Sequence, residues 1–308
     1  MKDLATYQYI GGEMTERDKL EVGSKFWNEG KWNNFIEPLL PKDCKEMTFV
    51  DVGCNRGLFL KLAKERGFER VIGVEPDPGA YKQALRGYEI INDRVENVVD
   101  KLPVADVTLL ANVHYYIRLE DWREYLKKVK TNYFIIITTR RRPNFKYAAP
   151  DIESIRNDFA GWKEIGMISI PKDSTPHSRE LYGICFKRPG VERVPIDTLD
   201  NGNAQQIGFL EEIDRGVDPL QTTYYRRLRS YRKRTGSKQE IWSKERLINY
   251  MHERVELYED VKKNGLKEAL IVRKDNRITD GNHRCEIRKH LGHKTILIKY
   301  EGSNNLHK

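Results

Sequence analysis

The chain has 308 residues, about twice the length of a typical domain, so two domains are the first expectation. Charged residues make up 33% of the chain, and no apolar run approaches the roughly 20 residues that a membrane helix needs. The N-terminal sequence lacks the apolar core of a signal peptide. We therefore expect a cytoplasmic protein without a membrane partner.

The excess of basic over acidic residues is compatible with an anionic partner. Lysine and arginine number 55 against 46 acidic residues, which gives a formal net charge of +9. The four cysteines are far apart in the sequence and form no Cys-x-x-Cys pair: Cys44, Cys54, Cys185 and Cys285. This spacing indicates neither a disulfide framework nor a zinc site, so no metal is expected.

The first half of the chain alternates strand and helix patterns. Five apolar, β-branched runs are typical of strands buried on both faces of a parallel sheet: 47–53, 70–75, 88–93, 105–112 and 132–139. Helical patterns lie between them at 58–67, 78–87 and 119–130. A helix over 149–161 and two antiparallel strands over 162–170 and 179–188 follow. The pattern predicts a doubly wound α/β sheet over 45–190, with helices from 1–44 covering one end.

A glycine-rich turn joins the first predicted strand to its helix. Gly53 and Gly57 allow a tight turn and a close ligand approach, and Glu75 ends the second strand, where a carboxylate can accept ribose hydroxyls. Asp51 directly before this turn would repel a pyrophosphate but would favour a cationic nucleoside. The sequence therefore favours S-adenosylmethionine over a dinucleotide as the cofactor.

This segment resembles the class I S-adenosylmethionine-dependent methyltransferases, whose first motif is an acid followed by Gly-x-Gly-x-Gly. Here Asn55 stands at the middle glycine. The resemblance implies a seven-stranded Rossmann-like sheet, with Asp51, Gly53 and Gly57 at the methionine end and Glu75 at the ribose. It also implies that Asp93, with Arg94 beside it, approaches the adenine. An acid in that position is also often a helix cap.

The fourth strand ends at Asn112, followed by His114 and Tyr115, at the sheet edge that opens on the ligand, and we expect Asn112 to bind the cofactor there. His114 could act as a general base, with Tyr115 beside the methyl group, or both could merely pack against the cofactor. The Asx-Pro-Pro-aromatic tetrad of the base-amino methyltransferases is missing, as is a Pro-Cys nucleophile. We therefore expect an oxygen or nitrogen acceptor, on a small or phosphate-bearing molecule, rather than a DNA base.

A polar segment over 191–222 is expected to be a linker or entry segment before a second domain over 223–308. The next residues, 224–238, combine tyrosines with basic residues that suit phosphates, including Arg226, Arg227, Arg229 and Arg232. This segment predicts either nucleic-acid binding or a solvated helix face.

Near the C-terminus, a turn over Asp280–Arg284 opens a helix over 285–292, and a strand over 295–300 follows. This order resembles the ParB/sulfiredoxin-like α+β fold over about 205–301. The resemblance implies that Gly281, His283 and Arg284 bind a nucleotide phosphate, of ATP or ADP for example, with Asp280 and Asn282 shaping the turn. Three hypotheses remain open: a methyltransferase with a phosphate-binding module, a bifunctional enzyme with a kinase domain, and a nucleic-acid-binding adaptor whose first domain binds S-adenosylmethionine without turnover.

Overall fold

The computed structural model describes residues 29–139, 147, 151–170, 180–201, 207–234 and 243–303, with the side chains of 139, 207 and 231–234 left out. The chain divides into two compact units after Pro189. Each unit is described by itself below.

The N-terminal unit is built on a seven-stranded sheet, with the order β3-β2-β1-β4-β5-β7-β6. The strands are β1 Thr48–Val52, β2 Arg70–Val74, β3 Glu89–Ile91, β4 Ala105–Ala111, β5 Thr131–Thr139, β6 Lys163–Ile170 and β7 Leu181–Lys187. The first five are parallel, and β7 runs antiparallel between β5 and β6. The predicted doubly wound sheet with an antiparallel final pair is confirmed.

Helices connect these strands: α1 Leu58–Arg66, α2 Pro78–Lys82, α3 Val95–Val98, α4 Leu119–Lys128 and α5 Ile152–Asp158. Gly67 ends α1 in a left-handed conformation, as expected of a C-terminal glycine cap. Helix α2 ends before the predicted Gly87, and the four-residue α3 has no sequence pattern long enough to predict it.

Two apolar layers cover the two faces of this sheet. Because strand side chains alternate, Val50 and Val52 contribute to one layer and Phe49 to the other. The described part of the predicted N-terminal cover is a short helical segment over 29–39, comprising Glu29–Lys31, a π-helical turn Trp32–Ile36 and a 3₁₀ turn Glu37–Leu39. Its Trp32 and Phe35 are buried in the Phe49 layer.

The C-terminal unit holds a four-stranded sheet with the order β10-β9-β11-β8. The strands are β8 Val191–Pro195, β9 Leu270–Val272, β10 Ile278–Asp280 and β11 Thr295–Tyr300. Strand β11 is parallel to β9 and antiparallel to β8. The helices are α6 Ile207–Asp214, α7 Thr223–Arg234, α8 Lys244–Asn264 and α9 Asn282–His290.

The predicted linker over 191–222 differs from the structure at its start. Val191–Pro195 is a strand whose five residues pair with Thr295–Lys299 of β11, and α6 follows it. The strand is short, ends in proline and contains polar residues, and these features are typical of a strand at a sheet edge. The same features are also typical of a loop, so the sequence alone did not reveal this strand. The C-terminal unit therefore begins at Gly190 rather than at 223.

Among the residues that the structure describes, no helix has both the length and the apolar composition needed to span a bilayer.

Candidate functional site

The turn after β1 has three residues in the left-handed conformation: Gly53, Asn55 and Gly57, with φ of 73°, 52° and 89°. The Gly53 N–H donates to the Val74 carbonyl at 2.7 Å, which fixes the turn against the end of β2. A Cβ at position 53 would lie 2.4 Å from Cγ2 of Val113. Both the backbone angle and the close approach therefore require glycine at this point.

Asp51 lies on β1 immediately before this turn, and its side chain is buried. Neither carboxylate oxygen has a hydrogen-bond partner among the described residues. Burial, reinforced by the nearby charge of Glu75, raises the pKa of Asp51 to about 8. A buried carboxyl without partners is costly to the fold, which makes Asp51 a candidate for contact with a ligand.

Glu75 follows β2 and closes the other side of the turn. Its Oε2 accepts the Asn55 N–H at 2.7 Å and its Oε1 accepts the Asp77 N–H at 2.8 Å. Burial raises the pKa of this carboxyl, and the two backbone donors partly offset the rise. Each oxygen keeps a lone pair, so the carboxylate can still accept from the ribose hydroxyls that the sequence assigns to it.

Asp93 and Arg94 lie after β3, where the sequence expects the adenine. Oδ1 of Asp93 accepts the Arg94 N–H at 2.7 Å and the Asn97 amide at 2.8 Å, and the Asn97 contact is the main cause that lowers the pKa of Asp93. Arg94 is exposed and faces Glu96 at 3.5 Å. The carboxylate thus orders the start of α3, and its contact with adenine stays a prediction.

Asn112, His114 and Tyr115 lie at and directly after the end of β4. His114 is fully buried, with its ring 5.1 Å from that of Tyr115 and 6.0 Å from that of Trp122. This packing favours the structural alternative for His114 and Tyr115. Asn112 has a left-handed φ of 62°, and its buried Oδ1 has no hydrogen-bond partner among the described residues.

Lys31 is a residue of this region that the sequence did not single out. It is 7% exposed, and its positive charge opposes the rise in the pKa of Asp51. It lies 20 residues before Asp51 in a segment that was predicted only as a helical cover. A lone lysine among aromatic residues carries no motif, so only the fold reveals its place.

In the C-terminal unit, the turn at 280–284 joins β10 to α9, and Gly281 takes a left-handed φ of 97°. Arg284 donates to the Asp280 carboxylate at 2.5 Å and to the Glu268 carbonyl at 3.1 Å. These contacts hold the guanidinium against the turn instead of presenting it to a phosphate. His283 is half-buried, with Nε2 at 3.5 Å from the Tyr250 hydroxyl, and Oδ1 of Asn282 is buried without a partner among the described residues.

The predicted basic segment forms α7, which separates its two residue types. Arg226, Arg227 and Arg229 are exposed, while Tyr225 is buried and Tyr224 is half-buried against Phe209. The side chain of Arg232 and residues 235–242 lie outside the described residues. Since Tyr224 and Tyr225 pack inwards, they are not available to stack on bases.

Within the described ranges, no group of three His, Cys, Asp or Glu side chains is arranged to hold a metal ion. All four cysteines are buried thiols. Burial raises the pKa of Cys44 to about 11 and that of Cys185 to about 12.

Residues 26–143 match the family model described as a methyltransferase domain. The matched range contains the turn after β1, Glu75 and the end of β4. This match supports an enzyme with a methyltransferase domain within residues 26–143. No curated relative matches the chain.

Solved structures with low identity are similar to parts of the chain. One is an S-adenosylmethionine-dependent methyltransferase from Archaeoglobus fulgidus, which is 17% identical over 55% of this chain and 97% of that one, with a TM-score of 0.43. Another is magnesium protoporphyrin IX methyltransferase from Synechocystis PCC 6803, 12% identical over 58% and 87%, with a TM-score of 0.44. A third is geranyl diphosphate C-methyltransferase from Streptomyces coelicolor A3(2), 12% identical over 58% and 85%, with a TM-score of 0.46.

Proposed function

We propose that this methyltransferase acts on a nitrogen or oxygen atom of a small or phosphate-bearing molecule, with nitrogen preferred, and that its C-terminal unit binds a phosphate group. The observation that carries the cofactor assignment is Asp51, whose buried carboxyl lacks a partner among the described residues at the end of β1. S-adenosylmethionine supplies a methyl group on a sulfonium and an ammonium that such a carboxyl can bind.

The end of β4 supports the preference for nitrogen. Asn112 Oδ1 can accept a hydrogen bond from an acceptor and orient it, but an amide oxygen cannot take up its proton. A neutral amine already has the lone pair that attacks, whereas a hydroxyl needs a base. His114, for which the sequence offers either a general-base or a packing role, is fully buried, and its ring lies 6.0 Å from that of Trp122. An acceptor that needs no base therefore fits this edge best.

The test is incubation of the enzyme with isotopically labelled methyl donor and a metabolite extract, followed by mass spectrometry. A labelled N-methyl product that Asp51→Asn and Asn112→Ala reduce supports the proposal. Asp158→Asn is the matched control, since this half-buried carboxylate accepts from Trp122 Nε1 at 2.7 Å and lies on α5. A labelled O-methyl or C-methyl product would contradict the preference for nitrogen.

For the C-terminal unit, the start of α9 supports phosphate binding. Gly281 precedes the nine-residue α9 in a left-handed conformation, with the Arg284 guanidinium beside it. Helix N-termini attract anions through their N–H groups and dipole. His283 can supply a further donor, whereas Arg284 organises the turn through Asp280. Binding could serve recognition of a phosphorylated acceptor or, as the bifunctional alternative, a nucleotide.

Thermal-shift titration with ATP, ADP, CTP and inorganic phosphate tests this part of the proposal. We expect stabilisation that His283→Ala reduces and that His252→Ala, at an exposed position on α8, leaves unchanged. ATP consumption that survives Asp51→Asn but not His283→Ala would select the bifunctional alternative. An unchanged melting temperature with all four ligands would contradict the proposed phosphate site.

A further inference from the structure

We infer that the outer face of α7 binds the phosphate backbone of a double-stranded nucleic acid without contact to its bases. Three exposed arginines define this face: Arg226, Arg227 and Arg229. The inference does not depend on the cofactor site or on the proposed phosphate site at α9. It concerns a different surface and a polymeric partner.

The inner face of α7 fixes which side chains point outwards. Tyr225 is 6% exposed. The Tyr224 ring lies 5.6 Å from that of Phe209 on α6, and its hydroxyl lies 3.4 Å from that of Tyr250 on α8. Leu228, about one turn further along, packs against the same apolar cluster. Because these residues hold α7 from one side, its arginines are held on the solvent side.

The three arginines form a compact cluster of positive charge. Arg226 and Arg229 are about 4.5 Å apart along the helix axis, and Arg227 lies between them. None of the three guanidinium groups forms an ion pair with a described residue. Like charges within one turn of a helix repel one another, so an anionic partner would relieve this repulsion.

The carboxylate at the start of α7 is directed away from these arginines. Oε2 of Glu212 accepts the Thr223 N–H and Oε1 accepts the Thr223 hydroxyl, both at 2.7 Å. The hydroxyl contact is the main cause that lowers the pKa of Glu212, and Arg226 contributes least to it. The sequence has no acidic residue between Asp218 and Glu240. Helix α7 therefore supplies no compensating negative charge to its arginines.

The composition of the outer face favours nucleic acid over a protein or a membrane. The core of a protein–protein interface is enriched in aromatic side chains, and a helix that lies on a bilayer presents an apolar side to it. The described outer residues of α7 offer neither, since Tyr225 and Leu228 point inwards. Protein–DNA interfaces are polar and strongly positive, and the arginine fork binds phosphate through two hydrogen bonds.

The orientation of α7 also distinguishes a duplex from a single strand. Proteins that bind single strands stack bases on exposed aromatic rings, whereas Tyr224 and Tyr225 are turned into the core. A duplex needs no such ring, because it presents one phosphate charge per about 1.7 Å of its axis on its outer surface. We therefore expect binding that is independent of base sequence and depends strongly on salt.

Fluorescence anisotropy with the full chain tests this inference. The probes are labelled DNA and RNA duplexes of about 20 base pairs and the matching single strands, at about 50–200 mM salt. In the triple variant Arg226→Gln, Arg227→Gln, Arg229→Gln, duplex affinity should fall at least about tenfold, and its logarithmic slope against salt should become shallower by about two to three. The single strands should bind the wild type more weakly than the duplexes. The tighter of the two duplexes identifies the source of the phosphates.

The matched control replaces three exposed basic residues around the turn between β9 and β10: Arg273→Gln, Lys274→Gln, Arg277→Gln. It removes the same charge and should keep the wild-type affinity and salt slope. Circular dichroism and thermal melts show whether both triple variants fold.

Four results would overturn the inference: no measurable binding of either duplex at the lowest salt, the same affinity and slope in the α7 variant and wild type, an equal loss in the control, or tighter binding of single strands than of duplexes. Poly-glutamate and vesicles that contain phosphatidylserine serve as competitors. Displacement of the duplex by either at equal charge would assign the face to an acidic protein or a membrane and would also overturn the inference.

Discussion

Nε2 of His290 lies 2.7 Å from Oδ2 of Asp214, and this contact joins the last residue of α9 to the last residue of α6. Oδ1 of the same carboxylate accepts the Tyr258 hydroxyl at 2.7 Å and faces Lys262 at 3.4 Å, both on α8. A single carboxylate thus connects three helices of the C-terminal unit.

Replacing this carboxylate should loosen the C-terminal unit. These donors, His290 first, lower the pKa of Asp214 to about 2. Because the folded-state pKa is depressed, the stabilisation is complete above the ordinary pKa near 3.8 and is lost as the pH falls towards 2. Asp214 is partly exposed, so after solvent screening we expect Asp214→Asn to cost only about 1 kcal/mol at pH 7. Urea unfolding of Asp214→Asn and wild type measures this loss in the free energy of unfolding.

The matched control for this prediction is Glu256→Gln, at an exposed position on α8. It removes the same charge and should leave the free energy of unfolding nearly unchanged. Equal stability of Asp214→Asn and wild type at pH 7 would show that the three-helix contact contributes nothing measurable.

Cofactor binding should depend on pH through Asp51. Since the pKa of Asp51 is about 8 in the ligand-free protein, most of its carboxyl is protonated at pH 7 and must ionise to bind an ammonium. The ionised fraction rises about tenfold per pH unit below the pKa, so the affinity for S-adenosylhomocysteine should rise by about that factor between pH 6 and 7. Calorimetry should also detect proton release on binding. Asp51→Asn should bind weakly and without this pH dependence.

Asp51 should also make the ligand-free fold less stable at pH 8 than at pH 4. Its pKa is raised in the folded state, so the folded chain holds the proton more tightly, and stability declines as the pH rises from about 4 to 8. Asp51→Asn removes this penalty and should be more stable than wild type by about 1–3 kcal/mol at pH 8, with little difference at pH 4. Thermal melts at both pH values check the sign. A variant that is less stable at pH 8 would mean that Asp51 is compensated in the free protein.

Alanine at position 53 should disrupt the turn. Gly53→Ala combines a left-handed φ of 73° with a contact of 2.4 Å to Val113, and we expect it to destabilise the N-terminal unit by about 1–3 kcal/mol. Adding Val113→Ala should relieve the steric part but not the backbone strain. Gly208→Ala is the control, since a Cβ there meets nothing within 4 Å. Full stability of Gly53→Ala in thermal melts would show that the turn adjusts freely.

The parts of the fold with strong local patterns were predictable from sequence. Continuous apolar runs predicted β1 and β4, and the strand at 295–300 matches β11 residue for residue. The four-residue α3 and the edge strand β8 were missed, because a short element has too few residues to show a period. The structure of β8 depends on its pairing with the distant β11.

The candidate site divides in the same way. Asp51 and the glycines around it could be predicted from sequence, because a tight turn after a strand requires particular residue types at neighbouring positions. Lys31 was missed because its burial, next to a Trp32 that packs against Phe49 across 17 residues of sequence, is a tertiary property that no local pattern records. The sequence left His114 open between a general base and a packing residue, because its burial against Trp122 is also a tertiary property.

Strand β8 has a practical consequence for dividing the chain. Only three residues separate the end of β7 at Lys187 from the start of β8 at Val191. A fragment that starts beyond residue 200 would therefore lack all of β8, which ends at Pro195. It would then expose the backbone donors and acceptors of Thr295–Tyr300, and an unpaired strand of this kind recruits other molecules. Aggregation of such a fragment would result from the loss of β8 at a wrongly chosen fragment boundary, rather than from an inability of the C-terminal unit to fold.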